Sequence, residues 1–251
     1  MSSAMLGDED ATTRLAILNQ PLRTSGNKGI EFRNFAFANG TCLNLEVNWG
    51  VGVGGGLWPA ATLLLNQMAR RLDFFQSRVK GRRVLELGAG TGLLGLGASC
   101  LLRPAELVLS DLENHTALLK RNADANKIMY GEGGGAFASE GTVVRVEAYD
   151  WNKAEAAGRL AGPFDVILGG DLAYNPGLYR PLVAAITANS DEHTITWLGV
   201  TRSDTGLAFF AELEIQGFEY YRIPDWETEG KSEGGHVGNF GIFTIFKKRP
   251  R

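Results

Sequence analysis

Three groups of residues carry the chemistry open to this sequence. Glu86-Leu-Gly88-Ala89-Gly90-Thr-Gly92 ends an apolar run with a glycine at every second position. Gly88, Gly90 and Gly92 let the backbone turn sharply and press against a ligand, because no Cβ stands in the way. The helix expected from about Leu93 then offers its first N–H groups to the same ligand. Asp111 closes the next apolar run, Glu106 to Ser110, about twenty residues beyond the turn. An acid at that spacing accepts hydrogen bonds from both ribose hydroxyls of a nucleoside; capping a helix is its other use. Asp171-Leu-Ala-Tyr174 closes a third apolar run, Phe164 to Gly170. A doubly wound fold holds its reacting groups on such loops, which is where Asp171 and Tyr174 are held; contacting the ligand or capping the next helix is the plainer use of Asp171.

The turn discriminates between nucleoside cofactors. The dinucleotide fingerprint G-x-G-x-x-G needs glycine three positions after Gly90, and Leu93 stands there. E-x-G-x-G-x-G, from Glu86 to Gly92, is the pattern of S-adenosylmethionine enzymes, whose cofactor has a sulfonium and an amino-acid end but no pyrophosphate. Glu86 suits that amino-acid end and would repel a pyrophosphate; a generic turn in another doubly wound protein is the competing reading. Trp58 lies between a glycine-rich stretch and a helix start, where it either covers a ligand or packs the core. Trp151 follows a strand and either meets adenine with its ring or packs inside. Gly169 and Gly170 leave space beside the strand that ends in Asp171.

The elements that must position these residues follow from the pattern on either side. Residues 1 to 27 are polar and small and predict a mobile leader. Ile30 to Val47 alternates around Asn39-Gly40, which predicts a hairpin within 30–49. Gly50 to Gly56 holds five glycines in seven residues, a loop that something else must order. Pro59 opens a lead helix within 57–76. Beyond the glycine turn come a helix from about Asn114 to Asn126, a surface insertion from Met129 to Gly141, and a strand from Thr142 to about Ala148. Pro176 starts a helix through about Ala188. Thr194 to Val200 is a further strand, followed by a helix that Ser203 or Asp204 can cap. Phe218 to Ile223 and Phe240 to Lys247 close the sheet as an antiparallel pair, joined by an acidic, glycine-rich loop, Asp225 to Gly238, near the substrate face. The whole predicts one α/β domain over 28–251, with a catalytic core over 82–248. Its fold is Rossmann-like and seven-stranded, mostly parallel, with an antiparallel closing strand and an N-terminal hairpin.

Composition bounds the function. A chain of 251 residues, 44% of them hydrophobic and 21% charged, buries a large core in one domain. A formal net charge of -3 argues against a binder of phosphate backbones, so no nucleic-acid partner is expected. Cys42, Cys100 and three histidines lack the spacing of a metal site or a disulfide framework. Neither a spanning apolar run nor the pattern of a signal peptide is present, which predicts a cytoplasmic protein off the membrane, and a monomer.

Taken together, Trp58-Pro-Ala, the Glu86 to Gly92 turn, Asp111, Asp150-Trp151 and Asp171-Leu-Ala-Tyr174 resemble the Asp-x-x-Tyr group of seven-β-strand protein-lysine methyltransferases. This is the methyltransferase-like 21 group with its fungal elongation-factor lysine methyltransferase relatives, and the resemblance covers roughly Ile30 to Lys248. It implies transfer of a methyl group from S-adenosyl-L-methionine to a lysine of a protein, a translation elongation factor or a chaperone. It also implies that Glu86, Gly88, Ala89 and Gly90 lie along the cofactor, Asp111 on the ribose, Trp151 near the adenine, and Trp58 and Gly170 against the cofactor's other side. Asp171 and Tyr174 would face the substrate, with no metal. Pro59 with the run Gly52 to Gly56, and the Met129 to Gly141 insertion, depart from the group. A lysine ammonium, with pKa about 10.4, has no lone pair to attack with, so the site must help remove a proton and align the amine. Asp171 would orient the amine, Tyr174 would line its channel, and the sulfonium would disfavour the ammonium by like-charge repulsion. A small-molecule N-methyltransferase with the same pocket and a non-catalytic interaction module are the alternatives.

Overall fold

A computed structural model of the chain describes residues 20–24, 29–37, 40–127, 142–153, 160–224 and 240–248. Three strands form a small antiparallel sheet: β1 (Gln20–Thr24), β2 (Ile30–Ala36) and β3 (Cys42–Asn48). The apolar runs become the main sheet: β4 (Arg83–Leu87), β5 (Glu106–Asp111), β6 (Val143–Ala148), β7 (Val166–Gly170), β8 (Ile195–Thr201), β9 (Phe218–Arg222) and β10 (Phe240–Lys247). Their order is β6-β5-β4-β7-β8-β10-β9. Only β10 runs against the rest, antiparallel to both of its neighbours. This is the expected Rossmann-like, seven-stranded architecture. From β4 the chain winds outward through β5 to β6, and from β7 the other way, so the crevice of a doubly wound sheet opens at the carboxyl ends of β4 and β7.

Helices α1 (Pro59–Arg70), α2 (Leu72–Val79) and α3 (Leu93–Leu102) cover one face. Every residue of α3 is buried, as its unbroken run of apolar and small residues requires. Gly97 gives up the space that Leu65 of α1 fills. The second face carries α5 (Tyr179–Asn189) and α6 (Leu207–Ile215), packed through Leu182, Ile186, Phe209 and Leu213; α4 (Glu113–Lys127) adds Leu119 and Ala123 to the core of the first face.

The small sheet is fastened to the core by α4. Asn122 accepts from the Glu46 amide (2.7 Å) and donates to the Glu46 carbonyl (3.0 Å). One turn on, Asn126 does the same at Asn44, at 2.9 and 2.8 Å. Two side-chain amides at i and i+4 thus pair with alternate residues of β3 as a neighbouring strand would, satisfying an edge that would otherwise be open. Asn122 also donates to the Thr91 carbonyl (2.9 Å), which ties the glycine turn into the same assembly.

Several expectations change. Gln20–Thr24, placed in the mobile leader, form β1 and pair with β2, so the expected hairpin is the inner part of a three-stranded sheet. An edge strand tolerates Pro21, which has no N–H for a second ladder. The lead helix is two helices, because Arg71 leaves the helical region at φ -115°, ψ 48°. In the second helix Phe75 meets Trp197 edge-on, 4.8 Å between centroids, a tertiary contact that apolar periodicity does not encode. Neither Ser203 nor Asp204 caps the helix after β8: Gly206 occupies that position, and the Tyr179 hydroxyl accepts from its amide (2.8 Å). Residues 1–19, the Met129 to Gly141 insertion and the Asp225 to Gly238 loop lie outside the described residues. No helix among the described residues is long and apolar enough to cross a membrane.

Candidate active site

The ten residues singled out from the sequence converge. Trp58, Glu86, Gly88, Ala89, Gly90, Asp111, Trp151, Gly170, Asp171 and Tyr174 all line one cavity of about 470 Å³ at the carboxyl edge of the sheet. That volume lies within the range of small-ligand pockets.

The floor is the glycine turn. Gly88, Gly90 and Gly92 have φ of 58°, 56° and 83°, the left-handed region that glycine adopts without a Cβ penalty. A Cβ on Gly88 would stand 3.0 Å from the Trp151 ring, and one on Gly90 would stand 2.8 Å from the Gly54 carbonyl oxygen. Glu86 is 3% exposed and accepts from the Gly95 amide in the first turn of α3 (2.9 Å). Burial pushes its carboxyl well above the usual carboxylate range; the Gly95 bond opposes this and the nearby Asp111 charge adds to it. The attraction expected between Glu86 and an amino-acid end is therefore weakened, since burial favours the neutral acid.

Asp111 serves neither of its expected roles alone. Its Oδ2 accepts from the Gly90 amide (2.7 Å), and its Oδ1 meets the Leu112 amide (2.7 Å) and His115 Nδ1 (2.8 Å). A carboxylate offers about four lone-pair sites, so one is left for a ribose hydroxyl rather than the two a bidentate contact needs. His115 was not found from the sequence: a lone histidine on a helix carries no signal of its own. Its Nε2 lies 3.0 Å from the Val51 carbonyl oxygen. This is one of several contacts to the Gly50 to Gly56 stretch, which forms two 3-10 turns, Trp49–Val51 and Val53–Gly55; the Asn48 side chain caps the first of them by accepting from the Gly50 amide (3.0 Å).

At the other end, Asp171 is tied to the scaffold. It has φ 57°, unusual for a residue with a Cβ. Its Oδ1 accepts from the Thr201 hydroxyl (2.6 Å) and its Oδ2 from the Ala60 amide (3.2 Å), at the start of α1. The helix it caps is thus α1 rather than the next one. Thr201 was also absent from the sequence reading, because only the pairing of β7 with β8 brings it near. In the direction a Cβ would take, Gly170 admits α1: a Cβ there would lie 2.5 Å from the Ala61 Cβ. The loop after Asp171 is braced by Thr205, whose hydroxyl donates to the Ala173 carbonyl (3.0 Å).

The rim is aromatic. Tyr174 is 50% exposed, and Trp58, at 39%, sits at the cavity's mouth rather than in the core. The Trp58 indole N–H donates to the Val53 carbonyl (3.1 Å), and its ring meets Trp49 edge-on. Trp151 is half-buried against the core and also lines the cavity. Its indole Nε1 is buried with no hydrogen-bond partner among the described residues.

This arrangement has relatives. A family model described as lysine methyltransferase matches residues 38–216, a span holding the glycine turn, both acids and Tyr174. EEF1A lysine methyltransferase 3 of Xenopus tropicalis is 29% identical over 159 residues, 62% of each chain. Protein N-lysine methyltransferase METTL21A of Mus musculus is 28% identical over 180 residues, 71% of this chain and 70% of that one. The chain therefore spans less than two thirds of the frog protein's length. A T. thermophilus 16S rRNA methyltransferase, solved in complex with AdoMet and guanosine, superposes with a TM-score of 0.58 at 18% identity, covering 92% of this chain and 58% of that one. That likeness is one of fold alone. The family match takes in well over half of the chain and every cavity-lining residue except Phe240, and it agrees with the resemblance carried by the motifs: the chain belongs to the lysine methyltransferase family.

Proposed function

We propose that this chain is an S-adenosylmethionine-dependent protein-lysine methyltransferase acting on a translation elongation factor. The observation that carries the reading is the meeting of the glycine turn, Asp111 and the Asp171 to Tyr174 loop in one cavity with an exposed aromatic rim. The name of the frog relative, which specifies EEF1A, supports the substrate. The net charge of -3 supports a protein rather than a nucleic-acid partner. We take the chain to act as a cytoplasmic monomer away from membranes, with one catalytic domain over 28–251 to which β1 adds an edge strand.

The residues present suit the cofactor. Gly88 and Gly90 form a cradle that a Cβ would fill. The indole N–H of Trp151, without a partner among the described residues, can donate to an acceptor on a nucleobase, and Asp111 keeps one site for a ribose hydroxyl. Ala89 and Trp58 also line the cavity. Bound there, S-adenosylmethionine supplies an electrophilic methyl on a cationic sulfur.

The rest falls to the chain's own residues. A lysine arrives as an ammonium and has no lone pair until it loses a proton, so the site must draw it in, orient it and favour the neutral amine. Asp171 contributes a negative charge whose direction is fixed by Thr201 and Ala60. The Tyr174 ring lines the approach, and holding amine and methyl in line supplies part of the ~7–11 kcal/mol available from orientation.

The test is incubation of the purified protein with isotopically labelled S-adenosylmethionine and purified elongation factor 1A, beside a whole-cell extract. Label on a lysine of the factor, lost in Asp171→Ala, is the expected result. Label on another protein would replace the substrate, and label confined to small molecules would favour a small-molecule N-methyltransferase. No transfer and no cofactor binding would leave an interaction module.

A further inference from the structure

His115 joins parts of the cavity that come from distant stretches of chain. It lies in the first turn of α4 and is 4% exposed. Its Nδ1 is 2.8 Å from Asp111 Oδ1 and its Nε2 is 3.0 Å from the Val51 carbonyl oxygen. A carboxylate and a carbonyl both only accept. A neutral imidazole has one N–H and satisfies one of them; the imidazolium has two and satisfies both.

The stretch that His115 reaches is built around it. A Cβ on Gly54 would stand 2.7 Å from His115 Nδ1, so glycine there is what lets the loop pass over the ring. The Gly54 carbonyl in turn lies against Gly90 in the glycine turn, and Asn114 also donates to Val51 (3.4 Å). Val53, Gly54 and Gly56 line the cavity beside Asp111. One ring thus connects the acid at the end of β5, the wall of the cavity and, through that wall, its floor.

The charges around the ring are few. From β5 comes Asp111, and behind it on β4 stands the buried Glu86. On β3, Glu46 is engaged with Arg121 farther along α4 (2.8 Å). Residues 48–58 contain no titratable side chain, so the wall offers no charge of its own, and among the described side chains that hydrogen-bond to it only the imidazole can change protonation. The hydrogen bond to Asp111 raises the affinity of His115 for its proton, against the opposing effect of burial, with smaller contributions from the Asp111 charge and the Val51 carbonyl.

We propose that His115 is a positioning residue for the methyl-donor site: it clamps the glycine-rich stretch Trp49 to Gly56 as the wall of the cavity and holds Asp111 toward the ribose. The proposal rests on the reading of the cavity as the S-adenosylmethionine site. The clamp is complete while the imidazole carries both protons. With its affinity for protons raised in the folded chain, the second N–H is fully present below about pH 6.5, the ordinary histidine value, and is lost as pH rises through the higher folded value.

Three variants separate the two contacts: His115→Ala removes both, His115→Asn places an amide near the reach of Nδ1, and His115→Gln near that of Nε2. S-adenosylmethionine affinity is measured by calorimetry from pH 6 to 9, amide exchange of 50–56 is followed in the unliganded protein, and kcat is read at saturating cofactor. His115→Ala is expected to weaken binding on the order of tenfold, as for loss of one or two hydrogen bonds to a charged group, with kcat within about threefold, a loss of shared binding rather than of chemistry. Exchange at 50–56 should speed up in His115→Ala and His115→Asn and less in His115→Gln. Wild-type affinity should fall as pH rises, and the variants should not show that step. If wild type binds and the three variants match it in affinity, pH response and exchange, the proposal is overturned while the site stands. If wild type fails to bind the cofactor, the reading of the cavity falls first. If His115→Ala does not fold, the Asn and Gln pair decides.

Discussion

Two aspartates end two parallel strands of the same sheet, and their surroundings give them different work. Asp111, at the end of β5, is 8% exposed and collects the Gly90 and Leu112 amides and a histidine. Asp171, just after β7, is held in the left-handed region and collects one hydroxyl and one amide at the start of α1. Each fastens one end of the segment from Trp49 to Ala61: Asp111 through His115 and Val51, Asp171 through Ala60. The segment that carries Trp58 is thereby stretched between the half of the cavity proposed for the cofactor and the half proposed for the substrate. Residue type and topological position alone do not assign a role; the donors that a neighbouring element presents do.

The comparison breaks hardest at its shared floor. Gly90→Val puts a branched side chain at φ 56° and against the Gly54 carbonyl, a backbone strain of about 1–3 kcal/mol. Cofactor binding measured by calorimetry should fall below detection, and thermal unfolding should drop by roughly 2–4 °C per kcal/mol lost. If Asp171 belongs to the substrate half, Asp171→Ala should lower kcat by roughly 100-fold, the scale of losing a positioned charged group, and leave cofactor affinity nearly unchanged. An Asp171→Ala enzyme with the wild-type rate would sink that assignment. Thr201→Val sharpens the point, since it removes only the hydroxyl that fixes Asp171. A kcat reduced about tenfold, one hydrogen bond to a charged group, marks Asp171 as oriented through Thr201, and a neutral result marks it as acting alone.

Smaller effects are expected at the rim and at the fastening of the small sheet. Tyr174→Ala should raise the KM for the protein substrate by about tenfold, typical of an exposed aromatic anchor, with cofactor affinity untouched; a matching change in both would move Tyr174 into the cofactor half. Asn122→Ala leaves backbone groups of Glu46 and Thr91 without their partner and should cost about 1–3 kcal/mol in urea unfolding, with activity preserved at 25 °C.

What could be read from the sequence was local. The strands of the main sheet, the turn at Gly88 to Gly92 and the placement of Asp111, Trp151 and Asp171 at strand ends follow from alternation, from positive φ at glycine and from the rule that a doubly wound sheet works at its carboxyl edge. Each depends on neighbours within a few residues, so the chain states it directly. Gln20–Thr24 escaped because an edge strand makes little demand on pattern, and the break at Arg71 because apolar periodicity does not record it.

The tertiary structure alone decided who meets whom. Val51 lies 64 residues from His115, Glu46 lies 76 from Asn122, and Ala60 lies 111 from Asp171. It made Glu86 a buried acid under α3 rather than an exposed charge, gave the Cβ side of Gly170 to α1, and left Asp111 one lone-pair site in place of two. Hydrogen bonds and desolvation act over a few ångströms between groups far apart in the chain, and a one-dimensional pattern records neither the pairing nor the burial that sets their strength.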